Sequence, residues 1–173
     1  METSFDICKK LLMRLEGLGD GDVKEPGLQP YLCPAGVWTI GYGRALYSSE
    51  LKRFLTKVYP SDKEVAYRMY PSVTIEEAEQ MLDEDIQVRN DKVLSFIKND
   101  VTVSQHELAA YISFAYNIGL GAFEDSTCLK YINKGNARLA RAAMGFFVKA
   151  SGCNNVGLAD RRYTEQKCHE GIL

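Results

Sequence analysis

Apolar side chains at Phe5, Cys8, Leu11, Leu12 and Leu15 repeat at the spacing of one helix face. The pattern stops at Gly17, a residue suited to ending a helix, so a first helix is predicted over 4–16 with Glu16 as its last residue. Residues 17–29, GLGDGDVKEPGLQ, have no period and read as a loop. In 30–44 the strand formers Tyr31, Leu32, Val37, Trp38, Thr39, Ile40 and Tyr42 flank the turn Pro34-Ala35-Gly36. They predict a small hairpin or a three-stranded sheet. Residues 45–73 are mixed and read as short helices and loops. From Thr74 to about Lys98 one long helix is predicted, with Ala78, Leu82, Ile86, Val93 and Ile97 on its apolar side. Further helices are expected near 104–118, 124–134, 137–149 and 158–169, punctuated by Gly135 and Gly152.

Three of these starts share a signature. Thr3/Asp6, Thr74/Glu77 and Ser104/Glu107 each place an acid three residues after a hydroxyl, where both groups can satisfy backbone N–H groups. The fold class is therefore α+β and predominantly helical, read as a single domain over 1–173. Its parts are the first helix 4–16, a small lobe with a short antiparallel sheet over about 17–73, a connecting helix over about 74–98 and a helical lobe over about 99–173.

Composition narrows the function classes. No run of about 18 apolar residues occurs, so no stable membrane insertion is expected. Charges interrupt the apolar residues of the first seventeen, which does not fit a secretory leader. The five cysteines are scattered and read as mostly free thiols. Cys153 with Cys168-His169 is a weak metal candidate; neither metal nor cofactor is expected. Residues 1–125 hold 13 Lys+Arg against 20 Asp+Glu, and residues 126–173 hold 8 against 3. The basic end can meet an anionic polymer or simply be solvated helix faces.

Glu16 beside a compact sheet carrying Cys33 and Thr39 has the makings of a cleft. Cleavage of a glycosidic bond needs one protonated carboxyl for the leaving oxygen, and a second polar group to handle water or act as nucleophile. By spacing alone, a Glu at a helix end reads more readily as a surface residue. Gly41-x-Gly43 lacks the third Gly and Lys of a phosphate loop and reads as strand packing. Cys33 with His106 or His169 could suggest a cysteine protease, but nothing in the chain order brings them together. Trp38 and the tyrosines can stack on sugars, although Trp38, in an apolar strand, reads as core.

Leu15-Glu16-Gly17 followed by Tyr31-Leu32-Cys33-Pro34-Ala35-Gly36-Val37-Trp38-Thr39-Ile40-Gly41-Tyr42-Gly43 resembles the phage-type lysozyme (endolysin) family, glycoside hydrolase family 24. That family carries an EG at the end of the first helix and then Y-x-[DC]-x-x-G-x-x-T-I-G-x-G. Thr74–Ile86, Ser113–Phe123 and Gly157-Leu158 with Arg161-Arg162 extend the similarity over nearly the whole chain. The resemblance implies a lysozyme-like fold and hydrolysis of the β-1,4 bond between N-acetylmuramic acid and N-acetylglucosamine in peptidoglycan. It implies Glu16 as general acid, Cys33 at the Asp/Cys position and Thr39 as the residue holding the attacking water. Asn117, Arg161 and Arg162 become candidates for substrate binding. The alternatives are a helix-turn role for Asn117 and a solvated face for the arginines. Arg44, standing where relatives often have His, is expected to pair with Asp85 as a structural ion pair.

Sixteen residues separate Glu16 from Cys33, more than is usual in the family. The extra length falls in the 17–29 loop and introduces Glu25 as a rival acid. As to partners, the resemblance implies peptidoglycan and no nucleic acid. It also implies a monomer that waits in the host bacterial cytoplasm until a membrane-permeabilising holin lets it reach the periplasmic wall. The alternatives are a catalytically impaired wall-binding protein on the same fold and a particle-associated lysozyme.

Overall fold

The computed structural model describes residues 2–17, 28–150 and 152–172, with Ala150 and Cys153 described by backbone alone. The residues cluster into two compact units, Leu12–Asp85 and Met1–Leu11 with Ile86–Leu173. The division falls inside two helices rather than at a loop.

The first helix, α1 (Ser4–Glu16), starts as predicted: Thr3 N donates to Asp6 Oδ2 and Asp6 N to Thr3 Oγ1, both at 3.2 Å. The same reciprocal cap forms at Thr74/Glu77, 2.7 and 3.1 Å, and at Ser104/Glu107, 2.7 and 3.2 Å.

In the unit Leu12–Asp85, strands β1 (Tyr31–Leu32), β2 (Trp38–Ile40) and β3 (Arg44–Ala45) form an antiparallel sheet in the order β1-β2-β3. Tyr31 is opposite Thr39, and Thr39 opposite Ala45. Because side chains alternate across a pleated strand, these three share one face while Trp38 and Ile40 point to the other. That second face is the core side, where Trp38 meets Tyr67 edge-on at 6.1 Å.

The 45–73 segment holds more strand than expected. Strands β4 (Tyr47–Ser48) and β5 (Arg53–Phe54) form a hairpin, followed by helix α2 (Asp62–Met69). The hairpin joins the sheet through Trp38 N donating to Leu55 O at 2.9 Å and Leu46 N donating to Trp38 O at 2.8 Å. Asp62 fastens it. Its covered carboxylate accepts from Arg53 Nη1 and Nη2 at 2.6 and 2.8 Å and from Thr56 N at 2.8 Å. The Arg53 hydrogen bond, with the Thr56 N–H and the guanidinium charge behind it, holds this carboxyl below the usual carboxylate range. Helix α3 (Ile75–Phe96) follows.

In the other unit, α4 (Gln105–Ile118) is buried at every position from Leu108 to Ala115, which makes it the central helix. After it come α5 (Leu120–Glu124), α6 (Thr127–Ile132), α7 (Ala137–Met144), a short hairpin of β6 (Lys149–Ala150) and β7 (Cys153–Asn154), and α8 (Val156–His169). Helix α8 packs along α4. The predicted helix 124–134 is interrupted because Ser126 starts a new one, its hydroxyl accepting from Leu129 N at 3.1 Å. The predicted helix 137–149 ends at Met144, and a strand takes its last residues. Phe114 meets Phe123 and Phe147 edge-on at 6.2 and 5.0 Å in this core.

Candidate active site

Glu16 closes α1, and the next residue, Gly17, donates its N–H to Met13 O at 3.2 Å. The Glu16 carboxyl lies against Gly43. A Cβ built on Gly43 would stand 3.1 Å from Glu16 Oε2 and 3.4 Å from its Cδ. Gly43 also has φ +88°, a conformation L side chains rarely adopt. Both facts make position 43 a glycine: the turn after β2 leaves room for the carboxyl.

Glu16 borders an open depression of about 500 Å³ whose walls include Tyr31, Cys33, Val37, Thr39 and Gly43. Three residues expected from the sequence to act together, Glu16, Cys33 and Thr39, thus face one space. One carbonyl ties two of them. Val37 O accepts from Cys33 N at 2.9 Å and from Thr39 Oγ1 at 3.0 Å. Thr39 is 3% exposed, and its hydroxyl proton is committed to that carbonyl. What it offers a neighbour is therefore its oxygen lone pairs, an acceptor for a water O–H.

Tyr31 is the member that sequence reasoning passed over. Burial pushes its phenol up to about 12, with the charges of Glu16 and Cys33 adding to the shift. It is a neutral hydroxyl beside both. The signal was present in Tyr31-x-Cys33, since alternate residues of a strand face one way.

Arg44 lies on the other face of the sheet. Its Nε donates to Asp85 Oδ2 at 2.9 Å, and its Nη2 to Glu84 Oε2 at 3.1 Å and to Met81 O. It clamps β3 to α3.

The remaining candidates belong to the helical unit. Arg161 and Arg162 are neither a surface for wall carboxylates nor a solvated face. They are buried, at 7% and 1% exposure. Arg161 Nε reaches Glu165 Oε1 at 3.1 Å and Arg162 Nε reaches Glu165 Oε2 at 3.0 Å. Ser113 Oγ also donates to Glu165 at 2.9 Å. Burial pushes the Glu165 carboxyl up, against the downward pull of Arg162 and Arg161. The i+4 and i+3 spacing of Glu165 after the two arginines was the available signal. Asn117 is exposed, and its Oδ1 accepts from Arg162 Nη2 at 2.6 Å; Gly119 caps the helix instead.

Glu25 and most of the 17–29 loop lie outside the described residues, as does the Cys153 side chain of the metal candidate. Among the described residues no group of three His, Cys, Asp or Glu could hold a metal ion. His169 Nε2 instead meets Tyr111 Oη at 2.9 Å. Burial raises the thiols of Cys128 and Cys168 to about 12 and that of Cys8 further.

The sequence profile of phage lysozymes matches residues 24–165, well over half of the chain. The chain belongs to the phage lysozyme family. The family match begins after Glu16, so it rests on the sheet and the helices. The chain is 38% identical to the endolysin of Bacillus phage PZA over 129 residues, 75% of this chain and 42% of that protein. It is 35% identical to the endolysin of Bacillus phage B103 over 156 residues, 90% of this chain and 49% of that protein. It spans less than half the length of either relative. Among solved structures, an endolysin from Escherichia coli O157:H7 phage FAHEc1 superposes with a TM-score of 0.73 at 28% identity, covering 100% of this chain and 96% of that one.

Proposed function

We infer that this family member hydrolyses the β-1,4 bond between N-acetylmuramic acid and N-acetylglucosamine in peptidoglycan, with Glu16 as the acid. The observation that carries the reading is the single depression bordered by Glu16, Cys33 and Thr39. The Glu16 carboxyl gives its proton to the glycosidic oxygen as the bond from that oxygen to the anomeric carbon breaks. Thr39 holds a water through its lone pairs on the same wall; the water's oxygen forms the new bond to the anomeric carbon, and the proton it loses is released to solvent, from which the Glu16 carboxylate is reprotonated. Cys33 takes the second role, handling water or acting as nucleophile, and Tyr31 presents a neutral hydroxyl on the same wall.

The test is clearing of purified peptidoglycan suspensions. The parent chain should clear them and Glu16→Gln should not; equal clearing by both would remove Glu16 from the acid's place. Cys33→Asp should remain active, because a carboxylate can do what the second group does. Retained activity in Cys33→Ala would rule out a nucleophilic thiol. A wall-binding protein without activity has no observation in its favour.

The chain acts as a monomer on the wall of its host after a holin opens the membrane from the cytoplasmic side. No described helix is long and apolar enough to cross a membrane. Lysis of expressing cells only when a permeabiliser is added would fit dependence on a holin; lysis without one would overturn it.

A further inference from the structure

The hairpin β4–β5 exposes side chains that sheets usually cover. Tyr47 is 48% and Phe54 53% exposed. Scattered apolar residues on a surface need no explanation, but a contiguous aromatic group does. This one is built firmly. Tyr47 and Phe54 are cross-strand partners whose rings meet edge-on at 5.3 Å. On the opposite face of the hairpin the buried Asp62 fixes the Arg53 guanidinium and so holds β5 in place.

The register places the aromatic pair on the same face as the depression. Thr39 pairs with Ala45, and Tyr47 is two residues beyond Ala45 on the chain, with the buried Leu46 between them pointing inward. Val37 pairs with Thr56, and Phe54 is two residues before Thr56, with the buried Leu55 between them. Ala45 and Val37 both line the depression. By the alternation of strands, Val37, Thr39, Ala45, Thr56, Tyr47 and Phe54 form one face. The aromatic pair begins about 7 Å beyond the depression, two residues of strand away.

We propose that Tyr47 and Phe54 form an aromatic platform that binds the glycan strand where it leaves the depression. This rests on the reading of the depression as a glycan site. A polymer cleaved internally continues past the reacting bond, and the sugar rings that follow present C–H faces that settle on aromatic rings. Continuity of the face with the depression favours a glycan over any separate partner. The platform makes binding depend on strand length: short fragments fill the depression, and longer ones also reach the rings.

The test measures binding of purified glycan strands of increasing length to the Glu16→Gln chain, which should bind without cutting. Affinity should rise with length. Adding Tyr47→Ser with Phe54→Ser should flatten that rise, weakening the longest strands about tenfold. Phe146→Ser, an exposed phenylalanine of the other unit, is the control and should change nothing. A length dependence unaltered by the double substitution overturns the platform. So does binding that requires the stem peptides, or self-association in the parent that the double variant abolishes. Failure of the parent chain to cleave peptidoglycan at all would instead overturn the reading of the depression. A melting curve checks that the double variant is folded.

Discussion

Two carboxylates anchor two polar clusters in this chain, and they are built on opposite plans. Glu16 ends a helix, rests on a glycine and borders an open space with Cys33 and Thr39. Glu165 lies in mid-helix at 0% exposure, enclosed by Arg161, Arg162 and Ser113. The first cluster keeps room for something that is not protein. The second turns its charges on one another away from solvent. Charged residues close together in sequence therefore say little about function until packing shows whether a vacancy is left beside them.

Glu16→Gln should lower the rate of peptidoglycan clearing by about 10²–10⁴-fold while the protein still melts cooperatively; a variant that merely unfolds would erase the contrast. Glu165→Ala should do the reverse. It leaves two buried guanidiniums without their carboxylate, and denaturant unfolding should show a loss of about 3–5 kcal/mol. A loss below about 1 kcal/mol would mean the cluster is looser than its distances.

Asp62 sharpens the contrast inside the unit that holds the depression. Its folded carboxyl titrates below the ordinary value, so its stabilisation is complete above about pH 4 and is lost as pH falls through that value toward the lower, folded one. Unfolding measured against pH should show this acid limb, and Asp62→Asn should flatten it. The smallest effect belongs to the partly exposed pair of Arg44 and Asp85, whose side chains are 23% and 21% exposed. Arg44→Gln should lower stability by about 1 kcal/mol or less and leave the rate per folded molecule unchanged. A large fall in rate with an unchanged melt would make Arg44 part of the chemistry.

The sequence made the helix starts legible because capping is local. Thr3/Asp6, Thr74/Glu77 and Ser104/Glu107 needed only three-residue spacing, and all three form. The sheet at 31–45 was legible from strand formers around a turn. The β4–β5 hairpin was not, because it lacks the glycine or asparagine that usually marks such a turn. Lys52 takes the left-handed conformation instead, at φ +52°. The site was half legible. Glu16, Cys33 and Thr39 emerged from pattern and resemblance, whereas Tyr31, two residues before Cys33, read only as a strand former until the fold placed it in the depression. Arg161 and Arg162 were misread because a charged residue's burial depends on a partner helix, here α4, that the sequence of α8 does not contain.

The cysteines carry a practical consequence. Cys8, Cys128 and Cys168 are buried, with thiols slow to form the thiolate that reacts with electrophiles, while Cys33 alone among the described cysteine side chains is partly exposed. It also lines the depression. A small alkylating reagent would thus find one address in the described part of the chain. Labelling there would both plug the site and report, by its protection in the presence of glycan, whether the site was occupied.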